Sequence, residues 1–415
     1  MNTNPDVLII GGGVIGVCSA YFLAKKGVQV TLIEKDEIAS GCSYGNGGLI
    51  VPSHAVPLAS PGALGNGLRW LLDSESPFYI KPRWDVEFFR WLARFVLASR
   101  DQNMKRALPV LRDLLFASRA LYEELATNAG FDFGFEGKGS LLVCFSKHSL
   151  EREREETHLF EEFNIPFSVV NREEALALEP ALSPSIAGGV YYPRDGRIDP
   201  HRFVVGLAEK ARGLGAQVWT KTEAMGIESA KGRVTKVHTT RGEFHPMQVI
   251  LASGSWSPEL ARALKLRIPI QPAKGYSVTL ENPPVTPKLP LLLSEARVVI
   301  NPLGDSLRIA GTLELAGMDF SLNSKRIRAM QKSSADYLPG LAEANVIEIW
   351  RGLRPCTPDG LPIISRAQNY KNLIVAAGHA MLGMSLGPIT GKLVSQLTRG
   401  EKSDVDMNPF EAGRF

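Results

Sequence analysis

Cysteine is scarce in this 415-residue chain: four residues, at positions 18, 42, 144 and 356, none in a CxxC spacing. A disulfide framework or a zinc site is therefore not expected, and a reducing interior suits the chain better. An excess of one charge is also lacking, with 47 basic against 43 acidic residues and a formal net charge of +4. Without a Lys/Arg cluster, that balance argues against nucleic-acid binding. Long hydrophobic runs are missing too. Only residues 7–24, VLIIGGGVIGVCSAYFLA, approach the roughly 18 apolar residues of a membrane span. Three consecutive glycines and the absence of a basic n-region speak against a span or a signal peptide there. There is no internal repeat and no low-complexity tail. What remains is an ordinary globular composition, 44% hydrophobic and 22% charged, long enough for two or three domains.

Val7 to Ile10 reads as a buried strand, Val14 to Lys26 as a helix closed by Gly27, and Val28 to Glu34 as a second strand. The right-handed crossover rule makes the two strands parallel, giving a βαβ unit at the start of the chain. A Gly/Ser/Pro-rich stretch from Ser40 to Gly62 is too long for an ordinary connector and suggests function. Helical patterning dominates from about Trp84 to Ala129. Strand-like runs follow at 140–145 and 188–193, then a helix at His201–Arg212 and a strand QVWTKT. A β-meander covers ESAKGRVTKVHTTRGEF. The expected fold is mixed, α/β and α+β, with a Rossmann-like nucleotide-binding domain at its start.

Three segments point to a cofactor. Gly11, Gly13 and Gly16 have the G-x-G-x-x-G spacing at a strand-to-helix turn. Gly11 permits the tight turn, Gly13 admits a pyrophosphate to the backbone, and Gly16 lets the helix pack on the strand. The free N–H groups at the helix start, around Val14 and Ile15, favour phosphate. Glu34 ends the second strand and suits an adenosine ribose, with Lys35 beside it. This unit serves NAD and FAD alike. The second segment, Val249 to Trp256, is a strand returning from the meander and ending at Gly254, a pattern that recurs in FAD proteins with two dinucleotide folds. The third, NLIVAAGHAMLGMSLG at 372–387, delivers a glycine-rich turn to another helix, with Pro388 expected in that helix's first turn. A helix N-terminus there would stabilise the negative charge of reduced flavin. FAD is the expected cofactor, and Ser43 and Met225 join the expected binding residues.

Candidate substrate residues lie in Trp350 to Ile364, where Arg351 and Arg354 precede a Pro/Gly turn. Either arginine offers a bidentate fork for a carboxylate, or serves a structural role. Tyr276, in AKGYSVTL, could donate to the same carboxylate or fill the core with its hydroxyl satisfied. His54 and His379 invite a general-base reading, although a neutral amine giving up hydride needs no strong base. Cys356 reads as a buried free thiol rather than a flavin attachment point. The aromatic stretch Trp84 to Arg100 reads as a core helix, with a membrane-surface helix as the alternative. The run EREREE at 151–156 reads as a solvated helical face.

Taken together, GGGVIGVCSAYFLAKKG–VTLIEKD, NGGLIVP at 46–52, KGYSVTL at 274–280, GLRPCTPDGLPII at 352–364 and the segment 372–397 resemble the D-amino-acid dehydrogenases of the small-subunit type. That group belongs to the D-amino-acid oxidase/glycine oxidase superfamily, and the similarity runs in order along nearly the whole chain. The resemblance implies non-covalent FAD, hydride transfer from Cα of a D-amino acid, and electrons passed to a quinone or other acceptor. It suggests D-proline or D-hydroxyproline as specific substrates. A glycine/sarcosine-type oxidase using oxygen and the flavin-binding component of a heteromeric dehydrogenase are the alternatives. It also implies that Arg354 holds the carboxylate, that Asn46, Gly47, Gly48 and Leu49 pass the flavin, and that residues from Gly378 to Ser385, including Met381, Gly383 and Met384, line its pyrimidine side. The resemblance implies a two-domain fold with the FAD-binding domain in three pieces, 1–60, 186–256 and 347–415, and an antiparallel-sheet substrate domain at 61–185 and 257–346. A cytoplasmic location is expected, with peripheral contact at the inner face of the cell membrane as the alternative.

Overall fold

The computed structural model describes residues 3–61 and 78–415; the end of the predicted functional loop, Gly62, lies outside them. Two sheets organise these residues. The first has six strands in the order Ile363–Arg366, Leu373–Ala377, Gln248–Leu251, Val7–Ile10, Val30–Ile33 and Gln217–Trp219. All neighbours are parallel except the first pair. Its central strands are continuously apolar because both faces are covered. Val7 and Ile9 enter the core shared with the helices Val14–Ala24, Pro200–Gly213 and Gly383–Arg399. Leu8 and Ile10 enter a second core, made with the meander Ala224–Ala230, Arg233–Thr239, Gly242–Phe244. The predicted βαβ unit, meander and alternating elements are present, so the mixed α/β expectation holds.

The second sheet has nine strands and is largely antiparallel. Three long strands, Asn345–Cys356, Gln271–Glu281 and Ser306–Leu315, lie side by side and reach towards the first sheet. Its own core contains Tyr276, Val278 and Ile309 and is covered by the helix Ser324–Tyr337. The predicted helical stretch from Trp84 resolves into Val86–Ala98 and Asp101–Asn128.

Two local expectations need correction. The last helix begins at Gly383, so Pro388 lies inside it rather than in its first turn. A proline there cannot bond the carbonyl four residues back. That carbonyl, Met384 O, instead accepts the Tyr122 hydroxyl at 2.7 Å, so a residue from a distant helix makes the interior proline tolerable. The EREREE run is not wholly solvated either. Glu153 is buried and bonded by Ser294 Oγ and Arg152 Nη2.

Candidate active site

A cavity of about 600 Å³ runs between the two sheets, within the size range of cofactor sites. Strand ends of the first sheet supply its floor. At the turn after Val7–Ile10, Gly11 has φ +117°, and a Cβ there would approach Ala252 O to 2.6 Å. A Cβ at Gly16 would overlap the Gly11 carbonyl oxygen. Gly13 differs: its missing Cβ would meet only Ser43 Oγ, at 3.5 Å, and the residue borders the cavity. No side chain caps the helix that Gly13 begins, although Ser43 Oγ accepts from Val14 N at 3.0 Å. An uncapped helix start facing a cavity is an anion cradle. Glu34 takes Gly12 N on one oxygen (2.6 Å) and Asp36 N on the other (3.0 Å). Each oxygen keeps a lone pair for a ribose hydroxyl. Lys35 Nζ sits 4.1 Å above the Trp256 ring, and both border the cavity. The residues present fit an ADP-bearing flavin nucleotide.

The loop from Ser40 is held by the second sheet and the last long helix. Asn301 Nδ2 donates to Gly47 O (2.8 Å), and Arg308 Nη1 donates to Tyr44 O (2.8 Å) and Asn46 O (3.2 Å). Gly48, at φ +74°, has no room for a Cβ beside Ile198 O and Asn301. Ser385 Oγ donates to Leu49 O and accepts from Val51 N, tying the loop to the last helix. Asn46 and Gly47 thus border the cavity while Gly48, Leu49 and Ser385 hold the loop behind them. Val14, Ile15, Ser43, Met225 and Gly254 also border it, as do Met381, Gly383 and Met384. Gly16 and Gly378 do not; each meets backbone or side chain where a Cβ would stand.

The predicted substrate residues separate. Arg354 borders the cavity. Its guanidinium makes one hydrogen bond, Nη1 to Thr312 O at 2.7 Å, and no carboxylate lies within ion-pair distance among the described residues. Burial pulls its pKa down while Cys356 and Cys42 oppose this; a guanidinium nonetheless stays charged. Arg351 also borders the cavity but stacks on Phe320 at 5.5 Å and donates Nε to Phe320 O. Tyr276 belongs to the sheet core yet also borders the cavity, and its hydroxyl accepts from Asn323 N at 3.3 Å. Burial and Glu314 push its pKa up, so it stays protonated. His379 borders the cavity, with Nε2 3.0 Å from Thr390 Oγ1; burial pushes its pKa down to about 3. His54 does not border the cavity. It is T-stacked on Tyr192 at 6.5 Å near the buried Asp195, and burial lowers its pKa. Asp195 is itself held by Ser53 and Ser140.

Several bordering residues escaped the reading of the sequence. Trp350 fills space that Gly45 and Gly352 leave by lacking side chains. Cys42 borders the cavity and donates to Leu353 O at 2.7 Å, whereas Cys356 is fully buried and does not border it. Burial raises the Cys42 pKa to about 11, so it is a thiol at neutral pH. The glycine-rich SGCSYGNGG signal marked the loop, but nothing in it named Cys42, and nothing local linked Gly45 to Trp350.

Comparison with known proteins agrees with this geometry. A family model described as FAD dependent oxidoreductase matches residues 6–397. The chain is 33% identical over 420 residues to a D-amino acid dehydrogenase of Vibrio atlanticus (strain LGP32), covering 99% of this chain and 100% of that one. It is 32% identical over 419 residues to a D-amino acid dehydrogenase of Bradyrhizobium diazoefficiens, covering 99% and 98%. Among solved structures, glycine oxidase from Geobacillus kaustophilus superposes with a TM-score of 0.80 at 26% identity, covering 99% of both chains. L-proline dehydrogenase from P. horikoshii shares the fold, with a TM-score of 0.77 at 22% identity over 100% of this chain and 98% of that one.

Proposed function

We propose, since the chain belongs to the FAD dependent oxidoreductase family and is an FAD-dependent enzyme, that it oxidatively deaminates D-amino acids. The observation that carries the substrate class is Arg354: a charged guanidinium on the cavity wall that, unlike Arg351 on Phe320, stacks on no ring and whose only hydrogen bond among the described residues is to a carbonyl. An α-carboxylate supplies the partner such a group lacks. The names of the relatives at 33% and 32% identity favour the D-series.

In this reading the helix start at Gly13 takes the pyrophosphate, Glu34 the ribose, and the helix start at Gly383 the pyrimidine side of the ring. Bound FAD supplies the two-electron acceptor for the hydrogen on the substrate's Cα. Arg354 binds the carboxylate and thereby orients Cα. Neutral His379 and the protonated Tyr276 shape the wall and take no proton at neutral pH. The bordering carboxylates, such as Glu34, Asp36 and Glu223, belong to the nucleotide side. The substrate's ammonium proton therefore leaves to solvent, and the resulting imine hydrolyses to a 2-oxo acid and ammonia. In this reading the six-stranded sheet, drawn from within 1–60, 186–256 and 347–415, carries the FAD-binding domain, while the nine-stranded sheet, which takes in Gly188–Tyr192 and Asn345–Cys356, carries the substrate domain.

The test is anaerobic flavin bleaching with D- and L-amino acids, D-proline, D-hydroxyproline, glycine and sarcosine. Rapid bleaching by D-amino acids is expected; bleaching by L-amino acids alone sinks the proposal. A glycine/sarcosine-type oxidase is the second reading, favoured by the superposition on glycine oxidase. It predicts rapid peroxide formation in air with no added acceptor.

No helix among the described residues is long and apolar enough to cross a membrane. For the acceptor we favour a quinone, with the cytoplasmic protein resting on the inner membrane face. Support comes from the helix Val86–Ala98, which exposes Val86, Phe89 and Leu97 beside Trp84, 99% exposed. Its outward arginines, Arg90 and Arg94, suit anionic headgroups. Co-sedimentation with anionic phospholipid vesicles is expected, and its absence at low salt rules the contact out.

A further inference from the structure

Arg354 crosses a neighbouring strand to reach its seat. In the antiparallel pairing of Asn345–Cys356 with Gln271–Glu281, Ala273 stands opposite Arg354 and Gly275 opposite Gly352. Residues two apart on a strand share a face, so Gly275 is the diagonal neighbour of Arg354. The guanidinium occupies the place of the side chain that Gly275 lacks: a Cβ there would collide with Nη1, Cζ and Nη2. On the far side of Gly275, Nη1 reaches Thr312 O on the strand Ser306–Leu315.

Thr312 is unusual in its own right. It lies where the register slips, since Lys274 faces Glu314 but Tyr276 faces Gly311. Its φ is +63°, in the left-handed region that β-branched residues avoid. Its hydroxyl is buried without a hydrogen-bond partner, so the strained conformation does not serve the side chain. A bulge turns backbone groups out of the ladder, and the group used here is the carbonyl.

We infer that Gly275 and Thr312 are positioning residues for Arg354. The missing Cβ of one and the turned carbonyl of the other seat the guanidinium. With Nη1 engaged by Thr312, Nε and Nη2 form the free edge of the fork for a carboxylate. The selectivity for a carboxylate-bearing amine is thus set in the strand bulge as well as in the arginine. This rests on the carboxylate role proposed for Arg354.

The experiment compares holoenzymes. Gly275→Ala is expected to raise KM for D-alanine at least tenfold, and the inhibition constant of acetate in parallel, with kcat within about threefold and flavin content unchanged. The added methyl meets the far end of a flexible side chain, so the arginine rather than the fold gives way. In an Arg354→Ala background, Gly275→Ala raises KM no further. Thr312→Pro, whose ring holds φ at about −65°, turns that carbonyl away and is expected to raise KM at least threefold with flavin content unchanged.

An unmoved KM in Gly275→Ala overturns the seat, as does an equal rise in the Arg354→Ala background. An unmoved KM in a Thr312→Pro holoenzyme overturns the carbonyl's part in the seat, and where no such holoenzyme forms the Gly275→Ala comparison decides. If Gly275→Ala yields no holoenzyme, the double variant decides: its recovery supports a collision with the guanidinium, and its failure overturns it. An unchanged KM in Arg354→Ala would sink the carboxylate reading itself. A raised KM there with an unmoved Gly275→Ala sinks only the seat.

Discussion

The two ends of the cavity are built on different principles. At the nucleotide end the contacts are backbone and absence: Gly11, Gly13 and an uncapped helix within one short stretch of chain. At the proposed substrate end one long side chain, Arg354, reaches the cavity wall, and its seat comes from two other strands. A phosphate-bearing cofactor common to many enzymes suits a backbone cradle, which side-chain drift leaves untouched. A substrate that must be told from its relatives suits a side chain whose placement can be tuned.

That contrast can be broken by experiment. The largest effect is expected from Arg354→Ala. Losing one partner of a buried charge-assisted pair costs about 2–5 kcal/mol, read as a fall in kcat/KM of at least thirtyfold, carried by KM, with FAD retained. Loss of the flavin in this variant would merge the two ends into one unit. Next comes Gly16→Ala, whose methyl would overlap the Gly11 carbonyl oxygen. Backbone cannot step aside as a side chain can, so a cost of about 3 kcal/mol is expected. Equilibrium FAD titration should show it as a loss of affinity of roughly a hundredfold; a variant that keeps full affinity would refute the backbone cradle.

The smallest effect concerns His379, which stands between the ends. Its folded pKa, about 3, lies below the ordinary histidine value. Such a group contributes its full stability above about pH 6.5, and loses it as pH falls towards 3, because the unfolded chain binds the proton first. At pH 5.5 the loss is about 1.4 kcal/mol. Thermal melts of holoenzyme between pH 7.5 and 5 should show it, and His379→Gln should flatten the slope. An equally steep slope in the variant would assign the acid sensitivity elsewhere, with the half-buried His54 the next candidate.

Legibility followed sequence distance. Gly11, Gly13, Gly16 and Glu34 fall within 24 residues, and their spacing alone carries the physical requirement of a tight turn and a helix start. The family resemblance, spread over five segments, agrees with the matched family model and with the superposed folds. Trp350 against Gly45, and Cys42 against Leu353, could not be read, because each pair is brought together from opposite ends of the chain. Pro388 was misread for the same reason. Its missing N–H was placed at a helix start, where it is harmless, while the released Met384 carbonyl is satisfied by Tyr122 from another helix. His54 carries a functional signal only by being a histidine; the fold leaves it half-buried near Asp195, outside the cavity lining.

The chain's sequence, by itself, determined the nucleotide fold and the flavin class. Those depend on local backbone geometry, and glycine spacing and strand hydrophobicity specify that geometry directly. Only the tertiary structure decided that Arg351 stacks on Phe320 while Arg354 stands unstacked on the cavity wall, and what seats it. The reason is physical: a guanidinium's direction depends on the space and carbonyls offered by neighbouring strands. Here they are Gly275 and Thr312, about 80 and 40 residues away in the chain, and register rather than sequence proximity brings them together.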